Sequence, residues 1–507
     1  MEQNVGLLLE TKAKQYGDKT FFIFEDKEIS YKELDMLVNR MGNGLLSLGV
    51  KRGDRVGVYL PSRPDIGVAY FAIQKIGAVA VIINYMVIGK ELSYIFNDAG
   101  ITTVITDALG QENLEKISSE LPDINNMIVK NGQKSLRVSP YEDLLKASSD
   151  KLSTVSCNPE DVAIIMYTSG TTGFPKGAMQ SHKNLFFGAK GLKALAKIDE
   201  KDRALAVLPL FNNFGCTGLM FNTLLYGGTV VVLERFDPQM VLEYLEKYKI
   251  TFMAGTPTMY IYINQAFESG KYKLPDFRLA LTAGAAMAVE NIEEFEDKFK
   301  TPLLNFYGMT ETQAITGLHP ESNPKPASIG MCLPDIKIRI VDENDNEVPR
   351  GHEGELVAIS DSIVKGYWNK PDASNEAWKN GWFHTGDICM LDEEGHYYFI
   401  DRKKDIIITG GANIYPREVE DILYTNPKVS MAAVVGIPDK VKQELAKAYI
   451  VLKKGETATE REIIDYCREK IAKFKIPRMV EFVDSLPLGA IGKIDKKELK
   501  KRASSPQ

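Results

Sequence analysis

Cysteine is scarce in this 507-residue sequence, and what that scarcity argues against narrows the choice of function early. The five cysteines, at positions 157, 216, 332, 389 and 467, lie far apart, are odd in number and form no Cys-x-x-Cys pair. That spacing argues against a disulfide framework and against a thiolate zinc site, and a cytoplasmic, reducing setting is expected. Histidine is equally thin, with five scattered residues and no cluster that would hold a metal. No apolar run reaches the roughly 18 residues a membrane span needs. Met1-Glu2-Gln3-Asn4 lacks the basic and apolar regions of a signal peptide. A large net charge is also missing: the formal value of −6 is spread along the chain, so no nucleic-acid partner is expected. The one local excess is the basic tail, where Lys493, Lys496, Lys497, Lys500, Lys501 and Arg502 face only Asp495 and Glu498.

What is present is an ordinary globular composition, 44% hydrophobic and 26% charged, on a chain long enough for about three domain-sized units. Its most informative segment is Tyr167 to Gly177, YTSGTTGFPKG, which follows the apolar run 162–166. Backbone N–H groups beside Gly170 and Gly173 are free to approach an anion without an intervening Cβ. Thr168, Ser169, Thr171 and Thr172 add hydroxyl donors and Lys176 adds a charge. A polyphosphate is the ligand such a loop suits. Ser181 reads as the N-cap of a following helix whose N-terminus is expected to help hold the anion. The spacing is not that of a Walker loop, because Lys176 follows Phe174-Pro175 and precedes Gly177.

Around this loop the hydrophobic period alternates between strand and helix. Residues 21–24 and 28–30 flank a turn and read as a hairpin, and Ser30 with Glu33 forms a capping-box pattern before a helix. Strands are expected at 56–60, 78–83 and 101–106, with helices at 65–76 and 90–98 between them. A second series, at 229–233, 251–255, 279–283 and 303–307, follows the loop. Such alternation predicts largely parallel sheets covered on both faces. From about residue 336 short strands at 336–341, 354–359 and 397–400 predict a small β-rich lobe. The charged stretch 401–405 then leads into an α+β segment of about a hundred residues, and the domain boundary is placed at 403–405.

Four further segments carry chemistry. Tyr307-Gly308-Met309-Thr310-Glu311 ends a strand with a carboxylate suited to Mg²⁺. Trp382-Phe383-His384-Thr385-Gly386-Asp387 ends in an acid suited to a pair of ribose hydroxyls. Gly410-Gly411 sits in a loop before a helix at 417–424, and Lys493 sits in Gly489-Ala490-Ile491-Gly492-Lys493-Ile494. Each alone has an ordinary reading as a surface acid, a turn, a helix entry or a solvated lysine. Together and in this order they resemble the adenylate-forming superfamily of acyl-CoA synthetases, peptide-synthetase adenylation domains and beetle luciferases. The resemblance spans essentially the whole chain.

That resemblance implies an α/β plus α+β architecture. A large N-terminal domain (1–402) would hold two α/β sheets and a small β-barrel-like lobe. A hinge (403–405) would join it to a small mobile C-terminal domain (406–507). It further implies roles. Thr168, Ser169, Gly170, Thr171, Thr172, Gly173 and Lys176 would surround the β- and γ-phosphates of ATP. Ala283, Gly284 and Ala285 would line the adenine pocket, with Tyr307 on the base. Thr310 would contact the α-phosphate, and Glu311 the Mg²⁺. Asp387 would bind the ribose hydroxyls, with Arg402 nearby. Lys404 matches the hinge position, Gly410 and Gly411 the tunnel for the pantetheine arm of coenzyme A, and Lys493 the lysine of adenylation. Asn212, Asn213, Phe214, Phe306, Gly308 and Met309 would line the acyl pocket.

The chemistry fits those residue types. Attack of a carboxylate on the α-phosphate brings two anions together, so cations must offset the repulsion. Neither that step nor thiol attack on the mixed anhydride needs a nucleophilic side chain. The expected activity is therefore conversion of a fatty or aryl acid to its acyl-CoA. Loading of a carrier-protein phosphopantetheine and non-catalytic nucleotide binding stand as alternatives, and a homodimer is left open. The sequence departs from the family in having Asn212 where many relatives carry His. It also has no aspartate in 208–215, which disfavours an amino-acid substrate.

Overall fold

A computed structural model describes residues 4–168, 174–285, 287–319, 324–409, 412–439, 441–489 and 494–504. Two sheets dominate the first 330 residues. The first has seven strands in the order Val138–Pro140, Asn126–Lys130, Thr103–Asp107, Arg55–Tyr59, Val79–Ile82, Val162–Thr168 and Lys176–Ser181. Every pairing is parallel except the last. The second has nine strands, with a parallel centre at Thr229–Val232, Arg203–Ala206, Phe252–Gly255, Leu279–Thr282 and Leu303–Met309. The expected hairpin Thr20–Phe24 and Lys27–Ser30 forms, and its first strand lies parallel to Thr229–Val232 at the edge of this second sheet. The antiparallel strand Gln313–Gly317 follows Leu303–Met309 on the other side.

Local chemistry explains the elements. Ser30 accepts the Glu33 N–H while the Glu33 carboxylate accepts the Ser30 N–H, so the capping box starts the helix Tyr31–Ser47. The helix Pro64–Lys75 is buried along almost its whole length between the two sheets, and its side chains are mostly apolar, with the buried Gln74 and Lys75 at its end paired to Ala163 and to Asp35 and Asn39. One expectation needs correction. Ser181 does cap a helix, His182–Ala196, but the strand Lys176–Ser181 intervenes. Ser181 pairs with Val162 and Lys176 with Thr168, so the helix starts at the opposite end of the hairpin from the 169–173 loop. Its N-terminus is therefore not available to an anion in that loop.

The small lobe is an antiparallel five-stranded sheet built on Glu353–Ile359 and Trp382–Leu391, and Tyr397–Arg402 is its last strand. A turn closed by the Asp405 N–H on the Arg402 carbonyl (2.9 Å) leads into Ile407–Thr409, which belongs to another sheet. That sheet, with the helices Pro416–Tyr424 and Glu460–Arg468, encloses its own core of Ile407, Val419, Leu423, Val434, Ile450 and Ile463. Among the described residues the two parts touch through hydrogen bonds and packing, including Tyr262 against Met431 and the Arg417 side chain on Phe399. The Arg417 N–H donates to Asp401 (3.0 Å), Gln265 donates to Ser430 (3.2 Å), and Lys500 lies 3.9 Å from Asp405.

Candidate functional site

Three sequence segments that are far apart in the chain converge at Glu311. Thr168, the last residue of its strand, donates to the Glu311 carboxylate (3.3 Å), and the Tyr367 hydroxyl donates to the same oxygen (2.9 Å). Lys176, opposite Thr168 across the hairpin, holds its ammonium 5.2 Å above the Tyr367 ring. Glu311 is only 4% exposed. Burial raises its pKa above the ordinary carboxylate value, and the Tyr367 and Thr168 hydroxyls offset only part of that. Among the described residues no cationic side chain pairs directly with Glu311, and a carboxylate buried in that way fits a divalent metal, whose charge would remove the penalty. Tyr367 is a site residue that sequence reasoning misses. An aromatic in a loop carries no local signal, and only the fold places it over the hairpin.

A second cluster forms around Asp387, which is 4% exposed. The Tyr307 hydroxyl donates to one carboxylate oxygen (2.7 Å), and Arg402 lies 3.5 Å from the other. Asp387 and Arg402 are direct partners in the strand pair Trp382–Leu391 and Tyr397–Arg402, which is why residues fifteen positions apart in the chain meet. Burial and the Asp387 charge push the Tyr307 phenol well above its ordinary value, so it stays a neutral donor. A carboxylate held by a phenol and a guanidinium fits a pair of sugar hydroxyls. The Arg402 charge also reaches Glu311 and ties the two clusters together. Ala283 is buried at the end of Leu279–Thr282, while Gly284, with φ of +87°, and Ala285 are exposed.

The residues assigned to the acyl pocket divide. Phe214 and Phe306 meet edge to face with ring centroids 5.1 Å apart. Met309 packs instead against the core of the small lobe, with Tyr307. Asn213 opens a π-helical stretch, Phe214–Phe221, and accepts a hydrogen bond from Gln180 (2.7 Å). The side-chain nitrogen of Asn212 is buried and finds no partner among the described residues. Gly308 has a backbone reason that sequence did not supply: a Cβ there would collide with the Gln313 carbonyl, at a register shift between the two strands. Gly308→Ala is therefore expected to destabilise the protein by about 1–3 kcal/mol, read as a lower Tm. An unchanged Tm would show that the neighbouring strand yields freely.

Eight expected site residues, Ser169, Gly170, Thr171, Thr172, Gly173, Gly410, Gly411 and Lys493, lie outside the described residues. Their flanks are described. Thr168 and Lys176 bracket the phosphate-type loop in the hairpin. Leu488 pairs with Ile494, and the Asp495 N–H donates to the Pro487 carbonyl (2.8 Å), at the base of the Lys493 loop. Lys404 is exposed within the turn between the two sheets. A cavity of about 320 Å³ lies in the C-terminal part, lined by Thr409, Ala412, Lys442, Phe474 and Arg478 among others.

Comparison with known proteins adds independent findings. Residues 9–368 match the family described as AMP-binding enzyme, and residues 418–493 match the AMP-binding enzyme C-terminal domain. The chain is 32% identical to a long-chain-fatty-acid–CoA ligase of Bacillus subtilis (strain 168), over 97% of this chain and 93% of that one. It is 34% identical to a feruloyl-CoA synthase of Amycolatopsis sp, over 94% of each. Among solved structures, ATP-bound MatB from Rhodopseudomonas palustris superimposes with a TM-score of 0.92 at 30% identity, covering 99% of both chains. Apo MatB gives 0.80 at the same identity and coverage.

Proposed function

We propose, for a chain that belongs to the AMP-binding enzyme family and is an ATP-dependent acid–thiol ligase, that it converts a fatty or aryl carboxylic acid to its acyl-CoA. The single observation that carries this reading is the pair of hydroxyls, Thr168 and Tyr367, on the buried Glu311, with Lys176 over the Tyr367 ring and with Arg402 and Tyr307 on Asp387. Asp387 and Tyr307 hold the ribose and nucleoside end. Thr168, Lys176 and the 169–173 loop hold the phosphates, and Thr310 orients the α-phosphate. Glu311 would hold Mg²⁺, which when bound would supply charge that lowers the repulsion between carboxylate and triphosphate. Lys493 adds a cation beside the same oxygens. The acid oxygen attacks phosphorus, pyrophosphate leaves, and an acyl-adenylate remains for the thiol.

The thiol we assign is that of CoA rather than a carrier protein. Thr409 and Ala412 flank Gly410-Gly411 in sequence and also line the 320 Å³ cavity, where Lys442 and Arg478 supply charges for phosphate and Phe474 an apolar face for a base. A carrier protein would bring no nucleotide to fill it. The acid class follows the relatives in name, and the Phe214–Phe306 pair suits an apolar or aromatic group. We place the enzyme in the cytoplasm on the spacing of its cysteines, which are odd in number and far apart along the chain.

We also propose that the turn at 403–405 is a hinge and that Lys404 turns it. The structure superimposes on ATP-bound MatB with a TM-score of 0.92 and on apo MatB with 0.80, a difference compatible with reorientation of the C-terminal part. The separate cores on either side of the turn support that reading. Lys404→Pro fixes φ at one backbone junction. It is expected to reduce the thioester half-reaction at least about tenfold more than adenylation, and an unchanged ratio of the two rates would remove the hinge. The function itself is tested by acid-dependent ATP–pyrophosphate exchange over fatty and aryl acids, with CoA or a carrier protein added separately. Absence of exchange with every acid would refute the reading.

A further inference from the structure

The hydrogen bonds around Asn213 form a chain that none of the roles above uses. Gln180, with no exposed surface, donates its amide to the Thr310 carbonyl (3.0 Å) and to the Asn213 side-chain oxygen (2.7 Å). Thr217 lies 2.9 Å from the same Asn213 oxygen and 3.2 Å from the side-chain oxygen of Gln313. Thr217 and Gln313 are also buried. The chain therefore starts at the residue preceding Glu311 and runs along the wall that carries Phe214. Gly188 lacks a Cβ where the Gln313 side chain passes, at 2.6 Å, so the helix His182–Ala196 makes room for that amide.

Its hydrogen-bond accounting is incomplete at both ends. Among the described residues the Gln180 side-chain oxygen and the Gln313 side-chain nitrogen, both buried, find no partner. In between, the single proton of Thr217 faces three acceptors: the Asn213 backbone oxygen, the Asn213 side-chain oxygen and the Gln313 oxygen. Buried polar atoms left unpaired cost about 1–3 kcal/mol each, so a cluster of them in one wall asks for a missing group. A group completing it would donate to one of these acceptors, the Gln180 oxygen or the surplus at Thr217, and accept from the Gln313 nitrogen. Turning the Gln313 amide over satisfies Thr217 differently but still leaves an oxygen that needs a donor. A hydroxyl does both; a carbonyl or ether only accepts. An ammonium would be left without a carboxylate among these four residues, and a second carboxylate without a cation.

Resting on the acyl-CoA ligase reading, we propose that the Gln180–Asn213–Thr217–Gln313 chain selects an acid carrying an uncharged hydroxyl near its carboxyl group. The carboxyl end of any acid attacking the α-phosphate lies beside Thr310, which places the first carbons of its chain against this wall. Gln180 and Thr217 then act as specificity residues: they read the substituent and take no part in phosphoryl chemistry.

Acyl-sulfamoyl-adenosines mimic the acyl-adenylate without reacting, so their binding tests the inference whether or not turnover is found. Two matched pairs are measured by calorimetry: octanoyl against 3-hydroxyoctanoyl, and benzoyl against 2-hydroxybenzoyl. The hydroxylated member is expected to bind at least about tenfold more tightly in one pair, the effect of one well-made hydrogen bond in a buried site. Gln180→Leu and Thr217→Val are expected to reduce that ratio to below about threefold. Equal or weaker binding of both hydroxylated members to the wild type would overturn the proposal and leave the chain as a structural network bridged by water. An equal loss for both members of a pair in the variants, with the ratio retained, would also overturn it. If Gln180→Leu does not fold, the wild-type ratios decide alone. Loss of exchange with all acids would refute the ligase reading and is read in a different assay.

Discussion

Lys493→Ala is expected to lower acid-dependent ATP–pyrophosphate exchange by about 10²–10³-fold, the usual cost of removing one positioned charge from a charge-developing step. Conversion of preformed acyl-adenylate and CoA to product is expected to stay within a few-fold of wild type. The asymmetry has a physical origin. Adenylation joins two anions, and in the proposed role the lysine would offset their repulsion. Thiol attack starts from a neutral carbonyl already attached to its leaving group and gains little from that cation. The hairpin base formed by Leu488, Ile494, Pro487 and Asp495 keeps the lysine loop attached to the C-terminal part, whose helix Lys496–Ser504 is anchored by Lys496 on Glu420 (2.7 Å). Rotation about 403–405 would therefore carry Lys493 away as one body. Equal losses in the two half-reactions would show that the lysine serves both steps, and the hinge would lose its purpose.

Glu311→Gln is expected to act in opposite directions on activity and on stability. Adenylation should fall by about 10²-fold or more, because an amide replaces the only carboxylate assigned to Mg²⁺. The ligand-free protein should become more stable at neutral pH, with Tm higher by about 2–4 °C for a typical single-site gain. The sign follows from the buried carboxyl, whose folded-state pKa is raised. As pH rises, the unfolded chain loses this proton first, so folding is penalised from the ordinary carboxylate range upward. The penalty is complete above the raised folded value. The neutral amide removes that penalty while its oxygen still accepts from Tyr367 and Thr168. The difference in Tm should vanish as pH falls below the ordinary carboxylate value. Adding Mg²⁺ and ATP should stabilise the wild type far more than the variant. A variant less stable than wild type at neutral pH would mean that Glu311 is compensated in the free protein and is not waiting for a cation.

Much of the architecture is legible from residues alone. The alternation of apolar strands and amphipathic helices marks out the two sheets, because a 3.6-residue and a 2-residue period leave different traces in sequence. The Ser30–Glu33 box marks a helix start for the same local reason. The glycine, threonine and lysine content of 167–177 announces an anion loop. Its relation to the next helix is not legible, because Lys176–Ser181 carries mixed apolar and polar residues and no strong strand signal. Pairing with Val162–Thr168 supplies the missing stability. The hairpin at residues 20–30 is visible in sequence, but its place beside Thr229–Val232, some two hundred residues later, is not.

Composition and local spacing, being properties of neighbouring residues, settle the kinds of group this protein brings to bear. Its hydroxyls and glycine-freed backbone suit phosphate, its carboxylates suit metal and sugar, and its lysines supply charge. Which of them meet is settled at the tertiary level alone. Folding sets Tyr367 against Glu311 and Tyr307 against Asp387, brings Gln313 under the collision that forbids a side chain at Gly308, and links Gln180 to Asn213. Those pairs are separated by 5 to 80 positions. Most of them rest on strand register and helix packing, which the whole chain settles together and no short segment encodes.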